Sequence, residues 1–519
     1  MKQSTERATW ASRSTFILAA IGSAVGLGNA WRFPGLVAKH GGATFLFVYL
    51  IAMFVMGIPL FMMEISIGRK MRGGAPSALK GIHPKAEWIG WAATSNAFVI
   101  AIYYAVVFGW VLLMTFMSYK FAGMTGTETA VADASGLWGK TIETTGVFDG
   151  FSIISWPAAI ALLIAWALIY YCIRNGAHSV GKVVKYTVFL PIIILVIMAV
   201  KGLTMSGAME GMRALFIPDL SQLSSASLWV DAIGQVFYSL SIMMAIMFAY
   251  GSFLDRTSNI AVDSIIVALS DMAISVLAGI VIFTTMYGTG MTVNDMSASG
   301  IATAFIIYPT AIINLTDIGW VNAAFGVLFY LCLVTLAIDS AFSIVEGVST
   351  AIADKFQLSH KKTTIGICVI AGVLSFGFVT GAGLAMLDVV DNWTNNYNMI
   401  VIGILECIAV GWCFNTSKVV KEINRNTKKD GFKMKKGWFD FYVKYVSPVL
   451  LVILLCWNFH SLYQNGGVYG AADGYTFKWN MIFGWTTTIF VFVSGFVVKW
   501  IAKKKGYEDN DFAVWDDKE

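Results

Sequence analysis

Charge is what this chain has least of. Only 13% of its 519 residues are Asp, Glu, Lys or Arg, about half the share of a soluble domain. With 57% hydrophobic residues and a mean hydropathy of +0.70, that scarcity excludes a soluble enzyme, a disordered chain and a nucleic-acid-binding protein. Cysteine is sparse too. Cys172, Cys332, Cys368, Cys407, Cys413 and Cys456 lie in or beside apolar runs without a CxxC pair, which reads as buried small hydrophobes. The five histidines are scattered and show no metal-ligand spacing. The net charge of +5 arises from short clusters between apolar runs, such as Arg69–Lys70–Arg72 and Lys503–Lys504–Lys505. That is the pattern of a polytopic membrane protein rather than of a basic face for an acidic partner.

Long apolar runs are abundant. A bilayer takes about 20 apolar residues per helix, and about 12 such runs occur. They lie near 14–37, 43–68, 88–119, 154–173, 184–201, 230–253, 260–287, 321–353, 363–382, 385–413, 440–461 and 480–502. The polar start, Met1 to Arg13, precedes a run without a convincing cleavage site, so that run is expected to be a retained first span. An even number of spans puts both termini on one side. Assigning that side to the cytoplasm places most Lys and Arg inside, above all those of the 414–437 loop. The outer loops 120–153, 202–229 and 288–320 are polar and nearly free of lysine.

Two spans are poorly made for simple crossing. The first carries Gly22, Gly26 and Gly28, then Asn29, Arg32 and Pro34. A glycine pair four apart serves helix packing, but packing needs neither Asn29 nor Arg32. About five spans later, Gln235-Val236-Phe237-Tyr238-Ser239-Leu240-Ser241 is again polar at mid-membrane. Interrupted spans at corresponding places in two five-helix halves predict an inverted-repeat transporter, with free backbone groups at the breaks as binding elements. Glu64, Asp271, Asp339 and Glu406 lie within apolar spans, where an isolated charge costs several kcal/mol. Asp271 follows Ser270 and Asp339 precedes Ser340, oxygen sets suited to a hard cation such as sodium. For Glu64 and Glu406 a structural pairing with buried polar groups is the simpler expectation. Nothing resembles a catalytic cluster: Gly139-Lys140-Thr141 has Ala134 where a phosphate-binding loop needs glycine.

Several strings together carry a family resemblance. Trp10-Ala11-Ser12-Arg13, the run from Gly22 to Pro34, Gly57-Ile58-Pro59-Leu60, Ile102-Tyr103-Tyr104, Gly234-Gln235-Val236-Phe237 and Glu422-Ile423-Asn424-Arg425 resemble the neurotransmitter:sodium symporter family. The resemblance implies an all-α fold with a five-plus-five inverted-repeat core whose first and sixth helices are broken. The expected layout is a cytoplasmic segment 1–13, a first repeat 14–201, an outer loop 202–229 and a second repeat 230–413. A basic inner loop 414–437, two further spans 438–503 and a cytoplasmic tail 504–519 follow.

The same resemblance implies two sodium sites and one amino-acid site. The first sodium would meet the carbonyl of Ala24, the side chains of Asn29, Ser239 and Asp271, and the substrate's carboxylate. The second would meet the carbonyls of Gly22, Val25 and Leu336 with the side chains of Asp339 and Ser340. The substrate carboxylate would meet N–H groups near Leu27 and Gly28 and the hydroxyl of Tyr104. Its amino group would meet carbonyls around Ser23 and from Phe237 to Ser241. Ile100, Phe237, Met243, Met244, Ala341 and Ile344 would wall the pocket. Tyr104 and Tyr238 with Arg32–Asp391 would gate it outside, and Arg7–Asp354 inside.

Three departures from the family shape the expectation. Monoamine-transporting members carry an aspartate where this chain has Gly26, so the substrate here should bring its own carboxylate. Chloride-dependent members have an asparagine where Asp271 stands, beside a chloride site otherwise retained as Tyr49, Gln235, Ser239 and Ser275; a fixed carboxylate there predicts chloride-independent transport. Lastly, Ser241-Ile242-Met243-Met244-Ala245 lacks the glycines relatives often have in the second break. The function expected is sodium-coupled symport of a neutral, hydrophobic amino acid across the cell membrane. A sodium-permeable channel and a transport-inactive amino-acid sensor on the same fold are the alternatives.

Overall fold

The computed structural model describes residues 9–125, 129–296, 299–428, 431–507 and Trp515. Among these the chain is helical throughout, with no strand and only two isolated β-bridges, Gly42 to Pro218 and Ile154 to Thr380. Among the described residues nine helices are long and apolar enough to cross a membrane, or up to 11 if each of two bent pairs is one span. One bent pair is the first span, Arg13–Ala24 plus Gly28–Lys39, with an angle of 50°. The other is Gly383–Gly411 plus Thr416–Ile423, a span followed by a short helix turned through 97°. Ala226–Ser239 and Ile246–Ser252, each too short to count alone, supply the remaining span expected from the sequence.

Burial separates core spans from peripheral ones. The apolar window of Pro84–Gly123 is 78% buried and that of Ala43–Met71 is 67% buried, against 17% for Phe477–Lys504. The last two spans therefore flank the core and turn most of their surface outward. This placement corrects the reading of the cysteines: Cys413 and Cys456 are exposed, while the other four are buried. The outer segments read as loops contain helices, Ala130–Ile142, Ala208–Phe216 and Tyr308–Ile313. Gly139-Lys140-Thr141 lies within the first of these, where helical bonds occupy its backbone.

Four of the six π-helical turns among the described residues share a local reason. Gly28–Arg32, Met53–Gly57, Thr303–Ile307 and Phe441–Val446 each run into a helix with a proline at its first or second position. Pro34, Pro59, Pro309 and Pro448 lack an N–H and crowd the preceding turn, so the ladder widens there instead of breaking. The inner half of the sixth span is seated backbone to backbone on the second. A Cβ at Gly68 would strike the carbonyl of Phe248, and one at Gly251 that of Ile65. Glycine is used at these positions because no side chain fits between the helices.

Candidate ion and substrate site

The two breaks face each other at the centre of the core. In the first span the helix ends at Ala24, Val25 is extended (φ −81°, ψ 94°), and regular structure resumes at Gly28. The second break is more costly. Ser241, Met243 and Ala245 have φ values of 53°, 64° and 61°, three side-chain-bearing residues in left-handed conformation within five positions. Each costs about 1–2 kcal/mol, so the segment needs external restraint. Two contacts provide it. Ser241 Oγ donates to the Ser23 carbonyl at 2.8 Å, and Met243 N–H donates to Glu64 Oε1 at 2.7 Å. Glu64 is thus a structural acceptor. Glu406 is buried as well, but neither of its oxygens has a hydrogen-bond partner among the described residues.

A buried polar cluster sits beside the first break. Asn29 Nδ2 donates to Asp271 Oδ1 at 2.7 Å, to Ser275 Oγ at 2.7 Å and to Ser239 Oγ at 3.0 Å. Ser239 Oγ donates to Asp271 Oδ1 and Oδ2 at 2.8 and 2.7 Å, and Tyr49 Oη donates to Oδ2 at 3.2 Å. Asn29 Oδ1 accepts from Gly26 N–H at 3.0 Å. Three residues from three other spans, Asn29, Ser239 and Tyr49, thus converge on one carboxylate, with donors directed at it as at a fixed negative charge. Gln235 is fully buried nearby in the chain, and neither of its amide atoms has a partner among the described residues.

Asp339 marks the second cluster. Its carboxylate lies against the end of the first helix: a Cβ at Gly22 would come 2.6 Å from Asp339 Oδ2. Oδ1 is buried without a hydrogen-bond partner among the described residues, the condition of a group fit to take a cation. Ser340 Oγ is 3.5 Å from the Ser23 carbonyl, and Leu336 lies one turn earlier on the same helix. Ser23 Oγ donates to Ser343 Oγ at 2.9 Å, a contact the sequence pattern did not single out. Its only trace there is the four-residue spacing from Asp339.

Between the breaks lies a small cavity. Ser23, Ala24, Gly26, Leu27, Asn29 and Ser241 bring polar backbone and side-chain groups to it, and Ile100, Met244 and Ile344 are its apolar members. Tyr104, Tyr238 and Ser340 complete the lining, and Tyr104 Oη is buried with no hydrogen-bond partner among the described residues. Three expected wall residues do not line it. Phe237 faces a separate cavity lined by Arg32, Asp231 and Asn395, Met243 packs toward Gly403, and Ala341 is buried elsewhere on its helix. Met243 is directed away by the left-handed backbone that turns Met244 inward.

The expected outer gate is only partly assembled. Among the described residues no ion pair joins Arg32 and Asp391. Asp391 accepts from Asn395 Nδ2 at 2.8 Å, while the Arg32 guanidinium lies 5.8 Å from the centre of the Tyr238 ring. On the opposite side, Asp354 Oδ2 accepts from Gly74 N–H at 2.8 Å. Arg7, its expected partner, lies outside the described residues. The neighbouring Trp10 is described: its indole donates to the Tyr250 carbonyl at 3.0 Å.

Two broken spans at matching places in a helical core, with buried carboxylates and a small cavity at the breaks, define a secondary transporter in a multi-pass membrane protein. The comparisons agree. The chain belongs to the sodium:neurotransmitter symporter family, whose model matches residues 7–126 and 122–503. An uncharacterized sodium-dependent transporter of Methanocaldococcus jannaschii is 32% identical over 520 residues, spanning 97% of this chain and 99% of that protein. The sodium-dependent neutral amino acid transporter B(0)AT2 of Mus musculus is 26% identical, with 87% of this chain and 72% of that protein covered. The crystal structure of MhsT in complex with L-phenylalanine matches with a TM-score of 0.73 at 26% identity, covering 87% of this chain and 99% of that one. The chain is a transporter rather than an enzyme, and sodium is the ion its family uses.

Proposed function

We propose that this chain is a sodium-coupled symporter of a neutral, hydrophobic α-amino acid that works by alternating access and needs no chloride. The observation that carries the reading is the cavity itself. Its polar side consists of backbone and side-chain groups of the two breaks together with the unpartnered Tyr104 hydroxyl, and its remaining wall is apolar. A Cβ at Gly26 would come 2.5 Å from Ser340 Oγ and 3.6 Å from Tyr104 Oη, so a carboxylate at that position would enter the cavity. With glycine there, the substrate supplies the carboxylate, to be met by Leu27 and Gly28 N–H and by Tyr104 Oη. Ser23 and Ser241, bonded to each other across the breaks, stand where the amino group would bind, and Tyr238 would close the cavity from outside. The naming of L-phenylalanine and of a neutral amino acid for two relatives supports this class of solute.

Two ions fit the two clusters. Ala24, Asn29, Ser239 and Asp271 would hold one; Gly22, Val25, Leu336, Asp339 and Ser340 would hold the other. Each cluster's carboxylate offsets one cation in a dry site, and a zwitterion adds no net charge. Two Na⁺ moving down about 100 mV and a tenfold gradient release together about 7.4 kcal/mol, enough for roughly five decades of accumulation. Basic-loop asymmetry supports cytoplasmic termini, with Arg32–Asp391 as the outer gate and Arg7–Asp354 as the inner one.

The test is uptake by the purified full-length protein in liposomes, with an imposed sodium gradient and a panel of labelled amino acids, chloride being replaced by gluconate. Saturable, sodium-dependent uptake of an apolar amino acid in gluconate is expected. Non-saturating sodium current without solute would show a channel instead. Absence of uptake for every amino acid, in protein of verified orientation, refutes the proposal.

A further inference from the structure

The helix Gly319–Phe356 continues well past Asp339, and its polar residues continue with it. Asp339, Ser343, Glu346 and Thr350 follow at intervals of four, three and four residues, which places them on one helical face. Asp339 and Glu346 are about 10 Å apart along the axis at 1.5 Å per residue. The row is dry, with relative exposures of 2, 0, 0 and 2%. Glu346 Oε2 nevertheless has no hydrogen-bond partner among the described residues, and neither has Ser349 Oγ one position from Thr350. Tyr250 Oη is a third such oxygen, on the inner half of the sixth span. That half packs closely on this helix, where a Cβ at Gly347 would come 3.4 Å from Ile246 Cα.

Packing alone does not account for this row. A second carboxylate buried with an unsatisfied oxygen costs several kcal/mol, and leucine or alanine would fill the space at no such cost. The far end of the row is closed by a side chain that reaches solvent. His360 Nε2 lies 2.8 Å from Glu346 Oε1, Thr350 Oγ1 donates to the same oxygen at 3.3 Å, and the His360 side chain is 28% exposed. On the other side the Trp10 ring covers Tyr250, with ring centres 5.2 Å apart. Glu346 therefore stands between the Asp339 cluster and the surface that bears the basic loops.

We propose that Glu346 is a further cation-binding carboxylate, an intermediate station for sodium leaving the Asp339 cluster toward the cytoplasm, with His360 as its stopper. This rests on the sodium-symport reading above. A buried carboxylate oxygen with no partner among the described residues, on the polar face that leads from Asp339, is a hard-oxygen donor suited to a small monovalent cation. The station acts after substrate and sodium have bound from outside. It therefore governs net uptake, which requires sodium release inside, and not exchange of internal for external amino acid when sodium is high on both sides.

The experiment compares these two fluxes in proteoliposomes. For Glu346→Gln, net uptake is expected to fall about tenfold while exchange stays within about twofold of wild type, a tenfold change being about 1.4 kcal/mol. The external sodium concentration for half-saturation should not move. For His360→Ala, the ratio of net uptake to exchange should rise. Unchanged net uptake in Glu346→Gln, or equal loss of both fluxes in protein that still binds labelled amino acid, overturns the proposal. If Glu346→Gln does not fold, His360→Ala decides, because an unchanged or lowered ratio overturns it equally. Wild-type protein without sodium-dependent uptake would defeat the symport reading instead.

Discussion

Replacing Asp271 by asparagine tests whether a fixed carboxylate takes the place that chloride holds in other family members. The substitution keeps size and shape but removes the charge on which Asn29, Ser239 and Tyr49 converge. Asp271 is fully buried, so neither bulk water nor salt screens it effectively. A unit charge about 4 Å from a cation at an effective dielectric of about 20 is worth about 4 kcal/mol. The amide oxygen retains part of that, leaving an expected loss of about 2–4 kcal/mol, or a rise of about 30- to 1000-fold in half-saturating sodium. The variant also places an NH₂ group among donors, which obliges Ser239 or Tyr49 to reorient. Tyr49, Gln235, Ser239 and Ser275 remain, and both amide atoms of Gln235 lack partners among the described residues, so an anion has donors to meet. Sodium-activated uptake by Asp271→Asn, measured in gluconate and then in chloride, should be weak in the first and substantially restored in the second. An active variant whose sodium curve ignores chloride refutes the reasoning.

Asp339→Ala should weaken sodium activation and uptake together, because its unpaired Oδ1 is the group offered to the second ion; normal sodium activation in that variant removes Asp339 from the site. Glu64→Ala leaves the Met243 N–H without its acceptor in a buried, left-handed segment. The expected loss is about 1–3 kcal/mol, read as a lowered thermal midpoint in detergent. Adding Met243→Gly to that variant should recover about 1 kcal/mol by relieving the positive φ. No recovery would mean that the strain is not where the dihedral angles place it.

The two breaks were unequally legible, and the difference is physical. The first is written locally: Gly22, Gly26, Gly28 and Pro34 weaken one stretch of helix, and any reader of helix propensities finds it. The second has no glycine from Ser241 to Ala245, and its local sequence is compatible with continuous helix. It opens because groups distant in the chain, Glu64 and the Ser23 carbonyl, bind the freed backbone, and Gly68 and Gly251 fix the inner half against the second span. The same nonlocal cause decides which methionine reaches the cavity. Helical periodicity treats Met243 and Met244 alike as wall, whereas alternation of left-handed residues sends the first toward Gly403 and the second inward.

The scarcity of charge follows the same division. Carboxylates whose partners are supplied, such as Glu422 with Arg69 at 2.7 Å, hold segments together near the ends of spans. Asp339, Glu346 and Glu406 each keep at least one buried oxygen without a partner among the described residues. A folded chain retains such groups against their desolvation cost only where something else compensates them part of the time. On the proposed mechanism that compensation would come with each cycle: the cation would stabilise the state it occupies and leave behind a carboxylate that favours return to another. On the proposed sodium-symport mechanism, incomplete pairing is what would let Asp339 and Glu346 couple ion occupancy to conformation.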